Sequence, residues 1–330
     1  MQRIASRDNL LEAFLRTARG KETKMAVRRF REHLDENITE IQQQLLDGTY
    51  DYNTYHAFLV YDPKQRLING PSFAMSVVLQ AMMRICHPVF DDYQIDGSFA
   101  SRPGRGQYAA LERTQQLAGR YRWFAKLDCV KYFPSIDHEI LMQQLCRLFK
   151  DPLLLLHFRR IIDSYETTEG KSLPIGNLSS QYFANHYLAV ADHWAKQQLL
   201  VAALVRYMDD PVFFDNDLNS LMQKVRAYRQ YLHEELRLTL HEPIVNQTKF
   251  GIPFLGYVVY KDCLRLSARS QQRFRYKLQQ LATKLDNGEI TEQEYAFRAQ
   301  CLFAFVDKAQ SDGYRRHLVK TYKGIYPQEL

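Results

Sequence analysis

The chain has 330 residues, 46% hydrophobic and 13% aromatic, which is enough apolar material for a large folded core and excludes a disordered composition. Its formal net charge of +7 and pI of about 9.0 are mildly basic and favour an anionic partner. The five scattered cysteines contain no C-x-x-C pair, which argues against a disulfide framework or a zinc knuckle and indicates the cytoplasm. No apolar run of about 18 residues is evident, so we expect no membrane span, and the charged first residues are not typical of a signal peptide.

The first third of the chain predicts helices around one pair of strands. Residues 7–48 predict two amphipathic helices. The segments "HAFLVYDP" and "QRLING" predict two strands joined by a turn at Asp62-Pro63. A mostly apolar helix follows in "SFAMSVVLQAMMRICHPVFDD", and the Arg/Gly-rich loop of "SFASRPGRGQYAALERTQQLAG" leads into another helix.

The middle of the chain mixes strands and helices. A strand in "RWFAKLDCV" precedes a helix in "DHEILMQQLCRLF", and "SLPIGNLSSQYFANHYLAVADHWAKQQL" is a loop that feeds a long helix. Two short strands meet at the aspartates of "LVRYMDDPVFF", a helix spans "NSLMQKVRAYRQYLHEELRL", and "GIPFLGYVVY" is a strand pair. The remainder is predicted to be helical. This order over residues 121–260 predicts an α+β layer with a mainly antiparallel sheet.

Three aspartates carry the strongest chemical signal. Asp209 and Asp210 are adjacent between two short strands, and Asp128 ends an apolar strand 81 residues upstream. If those strands are neighbours, the three carboxylates meet at one end of a sheet, where they repel each other unless cations are present. Two divalent ions about 3.5–4 Å apart would clamp an in-line phosphoryl transfer, and carboxylate oxygens suit Mg²⁺. The alternative is an ordinary loop-tip Asp-Asp pair and an unrelated strand-end Asp.

Most of the basic excess lies in the last fifth of the chain. Residues 261–330 contain 13 basic and eight acidic residues. Arg269, Arg273 and Lys277 are four residues apart, a spacing that predicts a stripe along one helix face. Such a stripe can follow the phosphates of a nucleic acid. The alternative is a solvated helix face.

In their order along residues 55–260, these motifs resemble those of reverse transcriptases. "YMDD" resembles the YxDD box, "KLDCVKYFPSIDH" motif A, "FLVYDPKQRLING" the fingers strands, "SFASRPGRGQYAAL" the Arg/Gly-rich fingers motif and "GIPFLGYVVY" the primer grip. "SLPIGNLSSQYFANHYL" is similar to motif B of prokaryotic reverse transcriptases. Its Ile-Gly-x-x-x-Ser-Gln form resembles the diversity-generating retroelement branch and related reverse transcriptases of bacterial defence. Group II intron enzymes usually carry a Gln-Gly pair at this place. The residues of the Ile-Gly-x-x-x-Ser-Gln form are Ile175, Gly176, Ser180 and Gln181.

The resemblance implies an α+β fold of the right-hand polymerase type. N-terminal helices and fingers would span residues 1–118, a palm 119–260 and a short basic helical thumb 261–330. It implies an RNA-directed DNA polymerase that joins deoxynucleotides to a primer 3′-OH with two Mg²⁺ ions, for which Mn²⁺ can substitute. Expected partners are template RNA, nascent DNA and dNTPs. The chain has no room for an RNase H or endonuclease domain, so we also expect an accessory protein or a structured noncoding RNA, and oligomerisation stays open.

The same resemblance assigns residues to roles. Catalysis would rest on Asp128, Asp209 and Asp210, which together with the Cys129 carbonyl would also bind the metal ions. The nucleotide would be bound by Lys64, Arg66, Cys129, Phe133 and Gln181. Of these, Phe133 would stack beneath the sugar and exclude a 2′-hydroxyl. Template and primer would be contacted by Arg102, Arg105, Tyr207, Met208, Arg269, Arg273 and Lys277.

Departures from the family pattern leave alternatives open. In "LTLHEPIVNQTKF" a Pro or Ile stands where the family has a Lys that protonates pyrophosphate, so no general acid is assigned. Pro211 directly after the aspartates is also unusual. We expect an error-prone retroelement enzyme; the alternatives are an antiphage defence reverse transcriptase with a noncoding RNA or unusual template, and a non-catalytic nucleic-acid-binding scaffold. An RNA-dependent RNA polymerase is disfavoured, because it typically has Asp near the position of Phe133 and Gly-Asp-Asp in the turn.

Overall fold

A computed structural model describes residues 1–61 and 65–321 of the chain. The helices in chain order are α1 (Arg7–Ala18), α2 (Met25–Glu32), α3 (Leu34–Asp47), α4 (Phe73–Tyr93), α5 (Gln107–Ala118), α6 (Tyr132–Ser135), α7 (His138–Leu148), α8 (Pro152–Asp163), α9 (Leu178–Gln197), α10 (Leu218–Leu236), α11 (Ala268–Asp286), α12 (Glu292–Val306) and α13 (Asp312–Thr321). The strands are β1 (Tyr55–Val60), β2 (Arg66–Pro71), β3 (Trp123–Lys126), β4 (Ala203–Tyr207), β5 (Asp210–Asp215), β6 (Ile244–Gln247), β7 (Ile252–Phe254), β8 (Tyr257–Val259) and β9 (Leu264–Leu266).

The N-terminal region forms three helices where the sequence predicted two. The chain leaves the helical conformation at His33 (φ −120°, ψ 41°), which separates α2 from α3. The rings of Phe14, Phe30 and Phe73 meet between α1, α2 and α4, with centroids 5.3–6.1 Å apart. Such packing stabilises short helices that would be marginal alone. The break therefore lets α2 pack against α4 while α3 packs against α1 and α2.

Helix α4 meets the length and composition of a membrane-spanning segment, although the sequence predicted no such segment. By length and composition alone it is apolar enough to cross a membrane, and half of that stretch is buried inside the protein. It packs against α1 and α9, and Ser72 caps its start by accepting a hydrogen bond from the Met75 amide. A buried core helix meets the same criteria of length and composition.

Strands β1 and β2 form the antiparallel pair predicted from the sequence, with Tyr55 opposite Pro71 and Val60 opposite Arg66. The predicted turn at Asp62-Pro63 lies outside the described residues. Phe58 and Tyr61 are exposed on this hairpin, which is otherwise anchored at its base: the Ser72 amide donates to the Thr54 carbonyl.

A four-stranded sheet in the order β4-β5-β3-β6 forms the centre of the molecule, and all of its neighbouring strands are antiparallel, as predicted. Its two faces contact different cores, because side chains alternate along a strand. Phe213 points into the core shared with α9 and α10, whereas Val212 and Phe214 point into the core shared with α5 and the C-terminal segments. The sheet is therefore held rigidly from both sides.

The C-terminal part contains one strand, β9, in a region whose sequence predicted only helices. β9 completes an antiparallel sheet in the order β7-β8-β9, with buried Leu266 opposite Tyr257. A three-residue strand is too short for its alternation to stand out in the sequence. This sheet crosses the predicted palm–thumb boundary at residues 260 and 261. Helices follow from Ala268 onward, as predicted.

Candidate active site

Strand register brings the three aspartates to one end of the central sheet. Lys126 lies opposite Val212, and the Leu127 amide donates to the Pro211 carbonyl at 2.9 Å. Continuing this antiparallel register by one pair sets Asp128 beside Asp210. Tyr207 in turn pairs with Asp210, which leaves Met208 and Asp209 as a two-residue hairpin turn.

The charges at this end of the sheet do not balance. Burial, followed by the negative charges of Asp210 and Asp128, raises the pKa of Asp209 to about 6. Burial also raises the pKa of Asp210, and the positive charge of Lys126 opposes that shift. The Lys126 Nζ lies 3.5 Å from the Asp210 Oδ1. Lys126 thus places one ammonium group beside three carboxylates.

The four predicted metal ligands do not form a ready-made cage. Within residues 1–61 and 65–321, no three Asp, Glu, His or Cys side chains converge closely enough to hold an ion, and Asp210 lies instead within ion-pair distance of Lys126. The donors nevertheless fit a hard divalent cation, which prefers oxygen ligands. The raised pKa of Asp209 shows that this site favours added positive charge, as protons or as cations.

Cys129 is buried beside the aspartates and pairs with Leu240 through an isolated bridge. Burial, with the charges of Asp209, Asp128 and Asp210, raises the pKa of its thiol. The thiol is therefore neutral at physiological pH and a poor metal ligand, because metals bind the thiolate. Any contribution of Cys129 to a metal site has to come from its backbone carbonyl, which is the role that the resemblance implies.

Phe133 lies on the short helix α6, which follows Asp128 closely along the chain. The chain enters α6 through Lys131, which has a left-handed backbone (φ 47°). The Phe133 ring is half-buried and meets the Tyr132 ring edge-on at 5.9 Å. Its carbonyl accepts a hydrogen bond from the Leu173 amide at 3.0 Å, which ties α6 to the loop before α9.

Gln181 lies on the first turns of α9, and the preceding loop is fixed against strand β2. The Asn69 amide donates to the Ile175 carbonyl at 2.9 Å. Gly176 has φ +107°, and a Cβ there would come within 2.6 Å of Ile68, so only glycine fits. Gln181 is exposed, and its Oε1 accepts a hydrogen bond from the Ser101 hydroxyl at 3.4 Å.

Arg102 is buried against its own loop, which contradicts the nucleic-acid contact that its motif predicted. Its side chain is 9% exposed, its Nε lies 2.6 Å from the Asp91 Oδ1, and its Nη1 donates to the carbonyls of Ile95 and Ser98. A buried guanidinium requires such partners, so Arg102 orders its own loop. Arg105 remains partly exposed, 3.2 Å from the Asp96 Oδ1.

The other predicted nucleic-acid and nucleotide contacts lie on several separate elements. Arg269, Arg273 and Lys277 follow one another along α11, as their spacing predicted. Tyr207 and Met208 are half-buried in the aspartate hairpin. Lys64 lies outside the described residues, and for Arg66 the structure describes the backbone position in β2.

Sequence reasoning gave no role to two charged residues of this site, Lys126 and Arg206. Arg206 is fully buried and bonds to Asp192, which is also fully buried. An Arg inside the apolar run "ALVRY" was the available signal, because charged side chains are almost never fully buried unless paired. The partner, 14 residues earlier on a different element, could not be identified from the pattern.

Comparison with known proteins agrees with this geometry. Residues 63–259 match the family described as reverse transcriptase (RNA-dependent DNA polymerase). The chain is 26% identical over 174 residues to the group II intron-encoded protein LtrA of Lactococcus lactis subsp. cremoris, an alignment that covers 49% of this chain and 29% of that protein. It is 23% identical over 268 residues to protein YkfC of Escherichia coli (strain K12), covering 66% of this chain and 69% of that protein.

The fold is similar to that of a solved apo telomerase from Candida tropicalis truncated from its C-terminal domain. The TM-score is 0.52 at 11% identity, over 66% of this chain and 55% of that one. The chain spans less than a third of the length of LtrA, so the activities of that whole protein do not transfer with the match. The family match covers more than half of the chain and includes all three aspartates. The chain therefore belongs to the reverse transcriptase (RNA-dependent DNA polymerase) family and has the right-hand polymerase fold that its sequence predicted.

Proposed function

We propose that this protein is an RNA-directed DNA polymerase that joins dNTPs to the 3′-OH of a primer on an RNA template. One observation carries the proposal: strand register brings Asp128, Asp209 and Asp210 to the same end of a sheet whose two faces are both buried. A binding scaffold gains nothing from three carboxylates that repel one another. A polymerase needs such a cluster to attract the cations that neutralise a triphosphate.

Asp128 and Asp209 are the proposed ligands of two Mg²⁺ ions, for which Mn²⁺ could substitute, with the Cys129 carbonyl and Asp210 beside them. When bound, such ions stabilise the attacking and leaving oxygens of an in-line displacement. The part of the protein is to hold the carboxylates in place. Asp128 is exposed at its strand end and Asp209 lies in a tight turn, so both are fixed by backbone geometry.

Nucleotide selection is proposed for residues whose motifs resemble those that bind the nucleotide in reverse transcriptases. Phe133 directly follows Tyr132, which is buried in the core, so its ring is on a rigid base. Stacked beneath a sugar, that ring would exclude a 2′-hydroxyl by steric contact. Gln181 would lie against the base and sugar, and Lys64 and Arg66 would bind the triphosphate through charge-assisted contacts.

We propose that residues 1–118 act as N-terminal helices and fingers, 119–260 as palm and 261–330 as thumb, with β9 packing as part of the sheet that precedes it. Template RNA and nascent DNA would lie against the basic stripe of α11 and near Arg105. A structured noncoding RNA or an accessory protein would bind this chain, and the chain could also form oligomers. We propose the cytoplasm as its location, in keeping with five unpaired cysteines.

For the biological role, we propose error-prone cDNA synthesis in a diversity-generating retroelement. Support comes from the Ile-Gly-x-x-x-Ser-Gln form of the loop and helix at residues 175–181, whose glycine is sterically required. The second candidate is an antiphage defence enzyme. Two departures favour that alternative: Pro211 follows the aspartates directly, and in "LTLHEPIVNQTKF" a Pro or Ile stands where the family has a Lys, the nearest Lys being Lys249.

The test is incorporation of labelled dTTP on a poly(rA)–oligo(dT) template-primer with Mg²⁺, with Asp209→Asn as the matched inactive control. We expect the wild type to extend the primer and the variant to give background counts. Binding of the template-primer without extension, by protein shown to be folded and under both Mg²⁺ and Mn²⁺, would instead support the scaffold. Sequencing cDNA made on a natural template would separate the two biological roles, because only the retroelement role predicts a high error rate.

A further inference from the structure

Arg206 is a buried cation directly before the aspartate hairpin, and it contacts the turn itself. Its Nη1 donates to the Met208 carbonyl at 2.8 Å. Met208 has φ +55°, a left-handed conformation that is unfavourable for residues with a Cβ. In two-residue hairpin turns with this conformation, glycine is preferred at that position. The strained turn therefore depends on contacts that hold it, and Arg206 supplies one from inside the protein.

The other donors of Arg206 are fixed to helix α9. Its Nε and Nη2 lie 2.7 Å and 2.6 Å from the Asp192 Oδ2, and its Nη1 donates to the Asn185 Oδ1 at 2.7 Å. Both residues are on the helix that also carries Gln181 near its start. Because an α-helix is stiff over such a distance, the turn and the proposed nucleotide-contacting face of α9 are joined through one side chain.

A third segment, the loop after α4, is bound by the same residue. The Arg206 Nη2 donates to the Gln94 Oε1 at 3.0 Å and to the Ser98 hydroxyl at 3.2 Å. The Arg206 amide donates to the Gly97 carbonyl at 2.7 Å. A Cβ at Gly97 would come within 2.3 Å of the Leu204 carbonyl, so this loop lies directly on β4.

Stability alone does not account for this network. The desolvation of two fully buried charges can exceed their attraction, and apolar pairs of similar volume are often as stable or more so. The Asp192 Oδ1 has no hydrogen-bond partner within the described part of the chain. An ion pair kept despite these costs is better explained by geometry, since a guanidinium offers five donors in a fixed planar arrangement.

We propose that Arg206 is a positioning residue of the polymerase site, which fixes the Met208 carbonyl and so the direction of Asp209 and Asp210 relative to α9 and the 94–99 loop. Its catalytic consequence rests on the proposed function. Arg206 is fully buried, so it acts through the turn and does not touch substrate.

The test uses the double variant Arg206→Met with Asp192→Asn, which removes both charges and leaves neither buried alone. We expect a Tm close to that of the wild type, a kcat for dTTP incorporation lower by about 100-fold, as for a small misplacement of catalytic groups, and a KM for dTTP changed less than about threefold. Amide hydrogen exchange over residues 204–212 should accelerate. The matched control is Asp215→Asn with Lys224→Met, which removes an ion pair of 2.8 Å at the far end of β5. This control should change neither kcat nor the hydrogen exchange of residues 204–212.

Arg206→Lys is the second variant. It keeps a positive charge against Asp192 but lacks the planar set of donors of a guanidinium. We therefore expect a folded protein with a reduced kcat and accelerated hydrogen exchange over residues 204–212. This variant decides the question if the double variant does not fold. Wild-type kcat in the folded variants, or unchanged exchange at the turn, would overturn the proposal. So would a loss of kcat that follows Tm and disappears on cooling. If the wild type itself makes no DNA, the proposed function fails, and hydrogen exchange still tests whether Arg206 holds the turn.

Discussion

The Nζ of Lys126, the last residue of strand β3 and two positions before Asp128, lies 3.5 Å from the Asp210 Oδ1. One lysine thus divides three aspartates into an ion pair and two carboxylates, Asp128 and Asp209. This division explains why the aspartates cluster without enclosing an ion site in the described residues. It also suggests that Asp210 contributes to the site through charge and position more than as a metal ligand.

Removing the lysine should expose this coupling. We expect Lys126→Met to lower the free energy of unfolding in EDTA, because Asp210 loses its counter-charge, and Asp210→Asn to reverse most of that loss. The coupling energy from the double-mutant cycle should be at least about 0.5 kcal/mol, measured by urea unfolding at pH 7. Lys126→Arg is the charge-preserving control. Additive effects of the two substitutions would show that the pair is incidental.

Asp209→Asn should abolish DNA synthesis and still leave a folded protein. Burial and two neighbouring carboxylates raise the pKa of Asp209 from 3.8 to about 6. The folded state therefore holds a proton that the unfolded state has lost, and stability falls as the pH rises from about 4 to 6. The Asn variant lacks this penalty. In EDTA it should match the wild type at pH 4 and exceed it above pH 6 by up to about 3 kcal/mol.

Urea unfolding across that pH range gives the measurement. A variant that loses stability at pH 7 in EDTA would mean that Asp209 makes favourable contacts that outweigh the repulsion. Primer extension by Asp209→Asn at the wild-type rate would rule out its role in the metal site.

Phe133→Ala should weaken the discrimination between deoxynucleotides and ribonucleotides. Opening the space beneath the sugar removes a steric contact, and pocket changes of this size alter selectivity by roughly 10- to 100-fold. The measurement is the ratio of kcat/KM for dTTP and UTP on the same template-primer. Phe133→Tyr, which keeps the ring, should retain the ratio. If Phe133→Ala stays active with the ratio unchanged, Phe133 serves only in packing.

Replacing Arg269, Arg273 and Lys277 with Gln should weaken template-primer binding for every sequence alike, because phosphates carry no base information. Gln has a helix propensity close to those of Arg and Lys. The slope of log affinity against log salt should shrink by up to about 0.9 for each lost contact on a B-form duplex. Extension at saturating template-primer should largely persist.

The matched control removes the same charge elsewhere, through Gln at the exposed residues Arg19, Arg28 and Arg29. Fluorescence anisotropy at several salt concentrations measures both proteins. Equal affinities and slopes for the two triple variants would show that α11 makes no specific phosphate contacts.

The sequence by itself determined the α+β class, the antiparallel central sheet, most helices and the three aspartates. The strands and helices follow from local pattern, because apolar periodicity indicates each element. The aspartates stand out because Asp209 and Asp210 lie between two predicted strands, Asp128 ends another, and their motifs resemble those of reverse transcriptases. The sequence did not reveal the break at His33, helix α8, strand β9 or strand β6, which is the fourth strand of the central sheet. These features depend on what neighbouring elements bury.

Only the tertiary structure decided which charged residues are partners. Arg102 and Arg105 are alike in sequence, three residues apart in one Arg/Gly-rich loop, yet Arg102 is buried on Asp91 whereas Arg105 remains partly exposed. Arg206 reaches Asp192 on helix α9, and Lys126 reaches Asp210 through strand register. Spacing along the chain cannot encode these pairs, because a charge is stabilised by whichever groups lie within a few ångströms of it, and the packing of distant segments decides which groups those are.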